Sequence, residues 1–138
     1  MAKENFGAVQ TFKAASDYSS YQYCPVYISS AGTVTITGAA GKVNGILLNK
    51  PSAAGRPAEV LTASGCLCKL RVDGVTPGAI SGGDPLEADA SSMGIKLTID
   101  GNGTIETYLI GWADEASGAV ADGYITVLTN FAPTSKQG

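Results

Sequence analysis

Residues 70–93 read Leu-Arg-Val-Asp-Gly-Val-Thr-Pro-Gly-Ala-Ile-Ser-Gly-Gly-Asp-Pro-Leu-Glu-Ala-Asp-Ala-Ser-Ser-Met, short apolar runs cut repeatedly by glycine, proline and aspartate. Gly74, Gly78, Gly82 and Gly83 open positive φ to the backbone, while Pro77 and Pro85 fix φ and remove a hydrogen-bond donor. The stretch therefore predicts short strands joined by tight turns, with Gly78, Gly82, Gly83, Asp84 and Pro85 as a structural corner. A phosphate-binding loop is disfavoured, because no Lys-Ser/Thr pair follows, no helix opens after it, and Asp84 and Glu87 would repel an anion.

The 138 residues suit one domain able to bury roughly two-thirds of its unfolded surface. Abundant Gly, Ala, Ser, Thr and Val with little charge point to an all-β fold, a compact β-sandwich or β-barrel-like single domain. Residues 1–18 are small and polar around isolated Phe6 and Phe12 and read as an extended N-terminal arm. Residues 19–132 then form the β-rich body and 133–138 a short tail. The net charge of −3 argues against nucleic acid, which demands clustered Lys and Arg. No apolar run approaches the roughly 20 residues of a membrane span, and no signal-peptide core follows Met1, so synthesis in the cytoplasm is expected.

The strands themselves announce their faces. Thr33-Val-Thr-Ile-Thr37 alternates, placing Val34 and Ile36 inward. Tyr21–Ile28 is aromatic and β-branched around Pro25, so Tyr21, Tyr23 and Tyr27 line either the core or a partner-facing patch. Residues 43–48, 58–63, 66–72, 85–88 and 123–129 supply further strands. Ile95–Ile110 reads as a hairpin turning at Asp100, Gly101, Asn102 and Gly103. A calcium loop from Asp100 is a poorer reading, because Gly111 stands where a bidentate glutamate is required. No internal repeat is apparent in the sequence.

Little here carries chemistry. The chain has no histidine, which excludes Ser-His and Cys-His nucleophiles and the commonest metal ligand. Cys66 and Cys68 lie two apart on one strand face and, with Cys24, are expected as buried reduced thiols. The acidic pairs Asp84/Glu87 and Asp114/Glu115 sit beside turns, where capping Asp and solvated Glu are the ordinary outcome. Trp112 is expected as partly buried packing. No enzyme activity, metal or cofactor is expected.

Three stretches together carry a resemblance. Gly45-Ile-Leu-Leu-Asn-Lys-Pro-Ser-Ala-Ala-Gly-Arg-Pro-Ala-Glu-Val-Leu-Thr-Ala-Ser-Gly65, the corner Gly78-Ala-Ile-Ser-Gly-Gly-Asp84, and Ile110-Gly-Trp-Ala-Asp-Glu-Ala-Ser-Gly-Ala-Val-Ala-Asp-Gly-Tyr-Ile-Thr-Val-Leu128 resemble, in order, segments of tailed-phage capsid decoration (cement) proteins. The resemblance covers roughly residues 43–130. It implies a small β-rich, β-tulip-like domain on the virion's capsid exterior. It further implies the major capsid protein as partner and a homo-oligomer, a trimer at capsid three-fold positions. Apart from the resemblance, the isolated aromatics of residues 1–18 give the expectation that Phe6, Phe12 and Tyr18 form a capsid-binding arm that orders on the shell. The rival expectations are a carbohydrate- or host-surface-binding virion module, and a self-assembling tail-tube protein.

Overall fold

Strand alternation sends every second side chain to one face, and along this chain those faces close two barrels in succession. The computed structural model describes residues 7–98 and 106–135, and the described residues contain no helix. Ten strands follow in order: β1 Val9–Ala14, β2 Pro25–Ile28, β3 Thr33–Ile36, β4 Gly45–Leu47, β5 Pro57–Leu61, β6 Leu67–Val72, β7 Pro85–Ala88, β8 Gly94–Lys96, β9 Glu106–Ala113 and β10 Gly123–Ser135. The all-β class holds. The first barrel closes in the order β1-β3-β2-β4-β5 and the second as β6-β8-β7-β9-β10, with β1 joined to β5 and β6 to β10.

The second barrel repeats the first strand for strand. Each begins with a strand that lies parallel to its third and antiparallel to its fifth. The registers agree residue by residue: Val26↔Ile36, Tyr27↔Thr35 and Ile28↔Val34 in barrel 1 recur sixty positions later as Leu86↔Lys96, Glu87↔Ile95 and Ala88↔Gly94. The turns recur too. Ser29 N–H donates to Thr33 O and Gly32 N–H to Ser29 O, and Asp89 and Ser92 make the same bonds to Met93 and Asp89. Val60-Leu61-Thr62 and Val127-Leu128-Thr129 occupy equivalent places, Thr62 N–H donating to Ala8 O and Thr129 N–H to Cys66 O. The sequence reading found no repeat, and the structure corrects it.

One residue type is imposed in both copies. A Cβ on Gly45 would strike the backbone of Leu61 and the Val60 side chain, and one on Gly111 the backbone of Leu128 and Thr129. Strands β4 and β9 thus cross their neighbours too closely for any side chain. Elsewhere the repeat conserves volume rather than identity. The inward cross-strand pair Phe12 and Ala58 of barrel 1 becomes Leu70 and Ile125 in barrel 2, a large-plus-small pair exchanged for two of middle size.

Residues 9–14 are therefore not an arm. They form β1, paired over five residues with β5 and parallel to β3, without which barrel 1 could not close. Its alternation is faint in sequence because the inward row is Gln10, Phe12 and Ala14, only one of them large. Tyr18 is buried in the same core, and its N–H donates to Pro51 O. Residues 133–135, read as tail, continue β10 against β9. The hairpin expected over Ile95–Ile110 is also overturned. Strand β7 lies between β8 and β9, so their flanks are already taken. Gly101, Asn102 and Gly103, like Phe6, lie outside the described residues.

Each barrel has its own core. Val26, Val34, Leu47 and Val60 anchor the first, Leu70, Leu86, Ile110 and Val127 the second. Val43 and Ile46 belong to barrel 1 by sequence but pack into the core of barrel 2.

Candidate assembly surface

Equivalent wall residues are used differently in the two barrels. Across barrel 2, cross-strand pairing aligns Leu67 of β6, Leu128 of β10, Trp112 of β9 and Pro85 of β7 in one row. Their inward neighbours Cys68, Val127, Ala113 and Leu86 pack on the core, so alternation points the row outward. Leu67 is 63% exposed, Trp112 40% and Leu128 39%. An apolar row of this kind on a barrel wall is a candidate surface for contact with another protein. Trp112, expected as packing, is its centre.

The counterpart row in barrel 1 is Val9, Leu61, Ile46 and Pro25. Here Ile46 is fully buried in the barrel 2 core, Leu61 is 6% exposed and Pro25 is buried, while Val9 at the end of the row stays 44% exposed. Burying Ile46 in that way contributes about 1.5–3 kcal/mol of transfer free energy.

The junction is completed by the loop before β2. Tyr23 holds φ 65°, its counterpart Gly83 φ 86°, and their N–H groups donate to Leu47 O and Ala113 O respectively. Strand β2 thus starts from the same bend in both barrels. Tyr23 O then accepts from Arg71 N at 2.9 Å, and the Tyr23 ring meets Tyr124 edge-on at 5.9 Å beneath Lys69 Nζ, 5.3 Å from the Tyr23 centroid. The Arg71 guanidinium grips Asp122 through two bonds of 2.7 Å and donates to Ser20 O at 2.8 Å. That pairing raises the Arg71 pKa and holds the Asp122 carboxyl below its usual range, the hydrogen bond between them being the largest cause of each shift. Ala40 N donates to Ala88 O from the other side. The tyrosines thus divide: Tyr18 is core, Tyr21 packs edge-on against it at 5.9 Å, and Tyr23 joins the barrels.

Of the remaining expected site residues, Phe12 is half-buried against the barrel 1 core, and Tyr18 lies within it. Side chains committed to a core are not free anchors, so the described part of the proposed capsid-binding arm does not stand. In the corner, Gly83 takes positive φ and Asp84 accepts from Ser81 N and faces Lys96 at 3.5 Å. Gly78 and Gly82 need no special conformation, and Gly74 is required instead by close approach to Ser117 and Gly118. Glu87 is buried, only 3% exposed, contrary to expectation, and accepts from Thr107 Oγ1 at 2.8 Å. Glu115 accepts from Thr126 N at 2.7 Å.

All three thiols are free, with Cys24 buried but Cys66 and Cys68 only partly so. Burial pushes the Cys24 and Cys68 thiols up to about 11. Among the described residues no three acidic or thiol side chains converge as metal ligands. Comparison of the chain with protein-family models, with curated proteins and with solved structures finds no match.

Proposed function

We propose that this chain is a virion structural protein that binds the outer surface of an icosahedral tailed-phage capsid, as a homo-oligomer, and stiffens the shell. The observation that carries the reading is the wall of barrel 2. Leu67, Leu128 and Trp112 form a contiguous apolar surface suited to covering by protein. The sequence resemblance over residues 43–130 supplies the shell as the partner and the trimer as the expected state.

A decoration protein needs a second surface, facing the shell. The loop end of barrel 2 offers one: Val75 and Val120 are both about half exposed, and Gly74 N–H donates to Val120 O, which brings their loops together. We assign the shell contact to this end.

The test is sedimentation of expanded empty shells mixed with the purified protein. Saturable co-sedimentation, lost in a Val75→Asp/Val120→Asp double variant that still folds, is the expected result. No binding by the unaltered protein would overturn the reading, as would spontaneous tube formation in the absence of shells.

A further inference from the structure

In one chain the middle of the barrel 1 row is withdrawn, Ile46 into the core of barrel 2, whereas its counterparts Trp112 and Leu128 in barrel 2 are exposed. The acceptor side shows the converse. Tyr23 of barrel 1 is held by Lys69, Arg71 and Tyr124 of barrel 2. Their counterparts by register are Thr11, Lys13 and Pro57, since Thr11↔Glu59 and Lys13↔Pro57 match Lys69↔Thr126 and Arg71↔Tyr124. Those three residues, with Phe12, Gly32 and Gly55, line an open groove of about 460 Å³. Each chain therefore carries a used donor and a used acceptor at its internal junction, and an unused counterpart of each by register.

We infer that a second copy of this chain docks head to tail, seating the Gly83 bend and the Trp112–Leu128 wall of one copy against the Thr11–Lys13–Pro57 groove of the next. The contact repeats between chains the relation that already joins the two barrels within one. Charge agrees with it: exposed Asp114 and Glu115 follow Trp112 on the donor side, while exposed Lys13 and Arg56 flank the acceptor groove. Because donor and acceptor are different surfaces, the contact is heterologous and generates a closed ring or an open filament, never a two-fold dimer. This deepens the self-association proposed above by naming its surfaces, and the solution mass reads it whether or not shells are bound.

The test uses two full-length variants, Trp112→Glu as donor-dead and Lys13→Glu/Arg56→Glu as acceptor-dead, with circular dichroism confirming that each folds. Light scattering is expected to show an assembly for the unaltered protein and monomers for each variant. An equimolar mixture of the two variants should give dimers and nothing larger, since one sound donor meets one sound acceptor. Trp112→Ser, which adds no charge, should weaken assembly in the same direction. A monomeric unaltered protein, an unchanged mass for either variant, or a mixture that stays monomeric would each overturn the inference. Open filaments would uphold this contact while overturning the shell reading, whereas finite rings that ignore shells would separate the two in the same way.

Discussion

In barrel 1 Ile46 and Leu61 are withdrawn from water, whereas in barrel 2 their counterparts Trp112 and Leu128 face solvent on the equivalent strands in the same register. The backbone does not distinguish them. What differs is the neighbour, and the outward residues have diverged to match: a β-branched Ile46 locked into a foreign core, against a tryptophan whose broad face suits a surface that must be both wetted and covered. Duplication thus separates what a barrel needs to close from what its wall is used for.

The same charge placed in both rows should have very unequal effects. Ile46→Lys buries an uncompensated ammonium and should destabilise the chain by about 3–5 kcal/mol. Trp112→Lys should leave monomer stability within about 0.5 kcal/mol. Urea unfolding measures both, and similar losses would mean that the two walls are not differently employed. A smaller, symmetric effect is expected from Gly45→Ala and Gly111→Ala. Both meet backbone in the same way, so each should cost about 1–3 kcal/mol, and a marked inequality would show that the crossings are not equivalent.

Alkali should weaken the native state through its thiols. Cys24 and Cys68 are raised above the ordinary 9.0 to about 11, so burial favours their neutral form. Their contribution is whole below pH 9 and is lost as pH rises through about 11. Thermal unfolding across that range should show the decline, shallower in Cys24→Ala. The smallest effect belongs to the junction ion pair. Asp122 is held below 3.8, chiefly by its hydrogen bond from Arg71. Its contribution is present above the ordinary aspartate value and fades as pH falls through the depressed one. Asp122 is half exposed, so solvent screens the pair, and Asp122→Asn should only flatten the acid limb slightly.

The sequence was readable where strands carry large inward residues or sharp turn chemistry. Val34 and the corner at Gly83-Asp84-Pro85 were legible in this way. It misled where pairing was decided at long range. β1 was hidden because its inward row is mostly small or polar, and the apparent hairpin at Ile95–Ile110 was undone by β7, which lies before it in sequence but between its arms in space. The duplication was invisible because counterparts such as Tyr27 and Glu87, or Val34 and Gly94, share position rather than chemistry. Trp112 was legible as an aromatic on a strand. Its exposure followed only from the opposite facing of Ala113, and its meaning only from Ile46.

The closure of β1 onto β5 also has a bearing on synthesis. Every strand of barrel 1 lies within residues 9–61, so that barrel can close while barrel 2 is still on the ribosome. The wall at Ile46 then emerges bare and waits for the rest of its own chain. A nascent barrel 1 is thus briefly in the condition of barrel 2 in a single finished chain, and neighbouring ribosomes on one message hold such walls close together. The short linker between Leu61 and Leu67 sets the correct partner at high effective concentration, so that the intramolecular cover arrives before a stranger's.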